Sequence, residues 1–172
     1  MERGSVTTIV QALNGAEVRY LIAGGLAVAA HGYVRFTADV DLLIALDADN
    51  VARALRVFEG LGYRPRVPVA LQAFADPAQR AAWVRDRHMT VFSLFSPNHA
   101  ATEIDVFVEA PVDFEAAWVA RASMEVAPGV LAAFVGRADL LAMKRKAGRP
   151  LDLTDIDALE AVEGEGADGD RS

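Results

Sequence analysis

Leu21-Ile22-Ala23-Gly24-Gly25-Leu26-Ala27-Val28-Ala29-Ala30-His31-Gly32, running into Tyr33-Val34-Arg35-Phe36-Thr37-Ala38-Asp39-Val40-Asp41-Leu42-Leu43-Ile44, is the stretch on which the fold turns. Val18 to Ala23 has the composition of a short buried strand, which Gly24-Gly25 interrupts. Leu26 to His31 is apolar and alanine-rich, a helix closed by Gly32. Asp39 to Leu46 alternates and then turns apolar, giving a second strand. On a strand, residues two apart share a face, so Asp39 and Asp41 project together while Val40 points away. Two such carboxylates repel and raise each other's pKa unless a cation lies between them. Magnesium, a hard ion that prefers oxygen, is the expected occupant, with manganese as a substitute. Alone, an Asp-X-Asp reads more simply as a strand-end pair facing water. The glycines upstream change the balance, because Gly24 and Gly25 let backbone approach phosphates at the start of a helix.

The rest of the chain supplies more helices and strands. Val6, Ile9, Val10 and Leu13 recur at helical spacing before Asn14-Gly15. Asp47 or Asp49 caps a helix through Val51, Leu55 and Phe58 that stops at Gly62. Tyr63 to Leu71 carries prolines and reads as an edge strand or loop. Asp76-Pro77 opens a helix that runs towards Arg87. Met89 to Phe95 and Glu103 to Val108 predict a hairpin, and Asp113 begins a helix. Met124 to Phe134 gives two extended pieces around Pro128-Gly129, followed by closing helices over Arg137–Ala147 and Asp152–Val162. Trp83 and Trp118 fall in helical stripes and read as core residues. The expected fold class is α/β (α+β), a mixed sheet with helices packed on it. Residues 1–162 form one domain, and 163–172, acidic and glycine-rich, a flexible tail.

Composition narrows the functions. A chain of 172 residues, 53% hydrophobic, has enough apolar surface for one core. The net charge of −7 argues against a broad basic face for gripping nucleic acid. Without cysteine there is neither a disulfide framework nor a thiolate metal site. His88 and His99 have no zinc-like spacing, and His31 at a helix end reads as a packing or capping residue. The N-terminus lacks the apolar core of a signal peptide, and Leu21–Ala30 is about half the length of a membrane span. The expected location is the cytoplasm, without a membrane partner. Lys144 and Lys146 are the only lysines among many arginines, so a lysine here is less incidental than elsewhere.

A third carboxylate completes the constellation. Asp105 lies in Thr102-Glu103-Ile104-Asp105-Val106-Phe107-Val108, mid-strand between apolar residues of the opposite face. With Asp39 and Asp41 it would complete a set of three carboxylates around divalent metal, or act as general base on an attacking hydroxyl. Glu103 shares its face and is the alternative. Arg35 and Thr37 precede the acids, Arg35 to orient an acid, meet a phosphate or form a structural ion pair.

Taken together, Gly24-Gly25, His31-Gly32, Arg35 to Leu43 and the later Asp105 resemble the AbiEii/AbiGii-type group of the DNA polymerase β-like nucleotidyltransferase superfamily. The segment Asp139 to Ile156 is similar to that group's later motifs. The resemblance implies that Lys144 contacts nucleotide phosphates, and that Arg149, Asp152 and Asp155 open the last helix. Asp152 and Asp155 share one helix face, though carboxylates also favour helix starts for local reasons. It further implies nucleotidyl transfer from a nucleoside triphosphate, with the chain as a toxin acting on tRNA or another macromolecule beside a cognate antitoxin. Two other readings stand. One is transfer to a small molecule, as in antibiotic-modifying enzymes, and the other is a catalytically silent binding module. Neither the base, the acceptor nor the oligomeric state follows from the sequence.

Overall fold

A computed structural model describes residues 3–168, with side-chain surroundings for residues 4–162. Helix α1 (Arg3–Gly15) leads into β1 (Tyr20–Ile22), α2 (Gly24–Ala30) and β2 (Asp39–Ile44). Helix α3 (Ala48–Gly60) and the two-residue edge strand β3 (Arg64–Pro65) follow, then α4 (Pro77–Arg87) and the strands β4 (Val91–Phe95) and β5 (Glu103–Phe107). The chain ends with α5 (Phe114–Val119), the hairpin β6 (Ala122–Ala127) and β7 (Val130–Phe134), α6 (Arg137–Ala147) and α7 (Pro150–Asp168). The expected acidic tail, 163–172, overlaps the end of α7, and 169–172 lie outside the described residues.

The strands make one mixed, seven-stranded sheet in the order β3-β4-β5-β2-β1-β7-β6. This bears out the expected mixed sheet with helices packed on it, including the β4–β5 hairpin. Strand β2 lies near the middle, antiparallel to β1 and parallel to β5. Val40, Leu42 and Ile44 enter the core from one face, while Asp39 and Asp41 stand on the other. Helices α2, α6 and α7 are successive neighbours, and α2 lies against β2. Helices α1 and α3 touch each other, with α3 also reaching β2.

Local chemistry sets the helix starts. Asp47 accepts from the Asn50 N–H at 2.9 Å and caps α3, and Asp76 accepts from the Ala78 N–H at 2.8 Å and caps α4. Trp83 is buried and stacks on Phe92 at 5.1 Å, as expected of a core residue. Trp118 packs against the edge of the core without being fully buried. The Arg121 guanidinium lies 4.2 Å above its ring and Arg19 at 5.2 Å. Helix α5 is six residues long, and the two arginines cover the part of its tryptophan that the core does not.

Candidate active site

The register of three strands builds the site. Strands β2 and β5 pair Asp39 with Glu103 and Asp41 with Asp105. Because the pairing is parallel and in phase, all four acidic side chains come to one face of the sheet. Strand β1 arrives on the other side of β2 and pairs Ile22 with Leu42. One residue on, the Ala23 N–H donates to the Asp41 carbonyl at 2.9 Å. The next residue, Gly24, is thereby set against the Asp41 side chain.

That placement gives the glycine pair a role its sequence context did not reveal. Helix α2 begins at Gly24 itself, two residues earlier than Leu26. Gly24 has φ +58°, and a Cβ there would lie 1.8 Å from the Asp41 Oδ2. A Cβ at Gly25 would meet Thr37 at 2.7 Å and the Arg35 Nη1 at 3.0 Å. The pair therefore makes room for the chain's own Asp41, Thr37 and Arg35. Gly24→Ala is expected to push the Asp41 carboxylate out of place and to lower by roughly a hundredfold any activity that depends on it. Steady-state kinetics beside a thermal melt would separate this displacement from simple unfolding.

The acids occupy unequal surroundings. Burial, together with Asp105 and Asp39 nearby, pushes the Asp41 carboxyl up to about 6. Asp39 is also raised, first by burial and then by Asp105 and Glu103. Glu103 is engaged elsewhere: Arg66 donates Nε–H to its Oε2 at 2.6 Å, and the second guanidinium arm meets Oε1. This ion pair holds Glu103 below its ordinary value. Of the two candidates for third carboxylate, Asp105 is thus the one without a guanidinium clamp.

Asp41 and Asp105 line a common cavity of about 450 Å³, shared with Gly24, Lys144, Arg149 and Asp152. Its other walls include Phe107, Leu140 and Met143, so it joins a charged end to an apolar one. Asp39 does not line it and lies towards the Glu103–Arg66 pair. A larger hollow of about 670 Å³ runs along residues 59–72, away from these acids, and holds no comparable set of charges.

Beside the acids runs a chain of ion pairs. Arg35 donates Nε–H to Asp155 Oδ1 at 2.7 Å and Nη2–H to Oδ2 at 2.8 Å. Lys144 Nζ lies 2.7 Å from Asp155 and 3.2 Å from Asp152. Arg149 closes the series on Asp152 with Nε at 2.7 Å. Burial alone would raise both aspartates, but their hydrogen bonds from the cations outweigh it and hold them low. Arg35, to which the sequence allows phosphate contact or ion pairing, is bidentate on Asp155. His31 ends α2 with Nε2 2.8 Å from the Val135 carbonyl, a packing role.

Among the described residues, no group of three or more histidine, aspartate or glutamate side chains converges into a ready metal site. Asp41 and Asp105 nevertheless suit magnesium. They are oxygen donors on one cavity, held as mutually repelling charges, and magnesium is usually bound by one or two carboxylates completed by substrate phosphates and water.

No family model matches the chain, and no curated protein does. Among solved structures it is similar to an antigenic nucleotidyltransferase-like protein from Paracoccidioides brasiliensis, with 21% identity and a TM-score of 0.53. The match covers 91% of this chain and 74% of that one. The chain therefore has a nucleotidyltransferase-like fold, and nothing in these comparisons points to the AbiEii/AbiGii toxin group in particular. No helix among the described residues is long and apolar enough to cross a membrane.

Proposed function

We propose that this chain is a metal-dependent nucleotidyltransferase, moving a nucleoside monophosphate from a nucleoside triphosphate to an acceptor hydroxyl with release of pyrophosphate. The observation that carries the reading is the pairing of Asp41 with Asp105 on one cavity that also holds Gly24, Lys144 and Arg149. Carboxylates and cations lining one hollow fit a triphosphate with its counter-ion better than they fit an uncharged ligand. The nucleotidyltransferase-like fold supports it independently.

In this reaction the acceptor oxygen attacks the α-phosphorus and the bond to the bridging oxygen of the β-phosphate breaks. The hydroxyl proton passes to Asp105, and the negative charge leaves with pyrophosphate. Asp41 and Asp105 would hold magnesium, or manganese, which would supply positive charge to the phosphates. Asp39, on the same face of the sheet, is the third carboxylate available to that ion. Gly24 and Gly25 keep the first turn of α2 close to the acids, with its backbone N–H groups available to phosphate oxygens.

For the acceptor we take tRNA or another macromolecule, the chain acting as a toxin with a cognate antitoxin. Val34 and Phe36, 83% and 82% exposed, flank Arg35 and offer an apolar surface for an acceptor base beside the site. Incubation of the protein with each labelled nucleoside triphosphate, magnesium, and pools of RNA, protein and small molecules tests this. Pyrophosphate release with label in RNA, falling steeply with salt, is expected. Label in the small-molecule pool would favour an antibiotic-type enzyme. No pyrophosphate with any triphosphate would reject catalysis in favour of a binding module.

A further inference from the structure

The five-member chain Arg35–Asp155–Lys144–Asp152–Arg149 does not treat its cations alike. Lys144 is 4% exposed, and its ammonium lies between Asp152 and Asp155, themselves 2% and 0% exposed. An ammonium has three protons, and two of the three directions are taken by carboxylates. Moving it onto a phosphate would leave two buried carboxylates short of a counter-charge, which is a costly rearrangement. Arg149 is placed differently. Both line the cavity of Asp41 and Asp105, but the Arg149 side chain is 75% exposed although Asp152 grips one edge, against 5% for that of Lys144. A guanidinium held by Nε and Nη2 still presents its outer edge, in the planar geometry that suits phosphate oxygens.

We propose that Arg149 is the phosphate-binding cation of this site, and that Lys144 is a positioning residue. Lys144 is the hub that ties Asp152 and Asp155 together and, through Asp155, locks Arg35 and the segment leading into Asp39 against α7. This assignment rests on the nucleotidyltransferase reading and reverses what the family resemblance implies for Lys144. The geometry also explains why the two aspartates are needed at all. Asp152 aims Arg149 through three hydrogen bonds, from Nε at 2.7 Å, the backbone N–H at 3.2 Å and Nη2 at 3.3 Å. Asp155 clamps Arg35 with two. Lys144 neutralises the buried charge that these two arrangements share.

Binding of inorganic tripolyphosphate, pyrophosphate and phosphate, each with magnesium, to the full chain by calorimetry tests the assignment with anions that carry no base. Arg149→Gln is expected to weaken tripolyphosphate binding at least tenfold, with a penalty that shrinks along the series to phosphate and a smaller loss of melting temperature than Lys144→Met. Lys144→Met is expected to lower the melting temperature by roughly 5–10 °C. Measured well below its melt, it should show a smaller penalty that is the same for all three anions. The double variant Lys144→Met/Asp152→Asn should regain part of the lost stability, since one uncompensated charge is removed. If Arg149→Gln binds tripolyphosphate as wild type does, or if Lys144→Met gives the length-dependent penalty at unchanged melting temperature, the assignment is overturned. If the wild-type protein binds neither tripolyphosphate nor any of the common nucleoside triphosphates, the nucleotidyltransferase reading falls and this assignment falls with it.

Discussion

Replacing Asp41 with asparagine is expected to abolish nucleotidyl transfer and, in the same protein, to raise the melting temperature measured without metal. The two effects have one cause. Asp41 is partly buried, faces Asp39 and Asp105, and has its carboxyl pushed up to about 6 against an ordinary 3.8. In the absence of a cation its charge opposes folding. An acid raised in the folded state contributes stability that is fully present below its unfolded value. That contribution is lost as pH rises through the folded value. Between pH 4 and pH 6, therefore, metal-free wild-type protein should lose stability on this account, and Asp41→Asn should not. With allowance for solvent, the gain at neutral pH is about 2 kcal/mol, or roughly 4–8 °C. Activity should fall by roughly a thousandfold or more, because the amide is a poor ligand for a hard cation. Thermal melts at pH 4, 6 and 7.5 with and without magnesium would decide the matter. An unchanged or lowered melting temperature at pH 7.5 without metal would show that Asp41 is not held against its preference.

Removing Asp155 should do the reverse, with a stability loss of comparable or greater size. Its carboxylate is fully buried, takes both arms of Arg35 and lies 2.7 Å from the Lys144 ammonium. Asp155→Ala leaves Lys144 with Asp152 alone and deprives Arg35 of its carboxylate. Breaking a buried network in this way costs about 3–5 kcal/mol, or roughly 10 °C in a chain of this length. The pH signature is opposite to that of Asp41. Asp155 is held low by its cationic partners, so its contribution is present above the ordinary carboxylate value and disappears as pH falls through the lowered one. Wild-type protein should lose this increment on acidification below about pH 4, and Asp155→Ala should have none to lose. Differential scanning calorimetry of the two proteins from pH 3 to pH 7 gives the comparison. Coincident curves would mean that the ion pairs contribute no net stability.

The opposed slopes divide the acidic residues by their neighbours. Asp39 and Asp41 sit among other carboxylates, whereas Asp152 and Asp155 have their counter-charges within the chain. The sequence distinguishes them poorly, since each pair is simply two aspartates at short spacing. What separates them is Lys144, eight residues from Asp152, and Arg35, 120 residues from Asp155 in the chain.

The strand carrying Asp39 and Asp41, the break at Gly24-Gly25, the capped starts of α3 and α4 and the β4–β5 hairpin are all legible from periodicity and local turn chemistry. These features depend on residues close together in the chain, and local rules govern them. Periodicity places Trp118 in the core and the structure puts it at the core's edge, because a helical stripe shows which residues share a face but not how completely another element covers it. In sequence the glycines offer room for phosphate. Only the β1–β2 register shows that the space a Cβ would take already belongs to Asp41, Thr37 and Arg35. The choice between Glu103 and Asp105 likewise rests on Arg66, which lies 37 positions before Glu103. By itself, then, the sequence determined the strand–helix–strand unit and the identities of the charged residues. Tertiary structure decided which charges face each other across strands and helices. Pairing over long separations is set by sheet register and helix packing, and a residue's own neighbours in the chain carry no record of it.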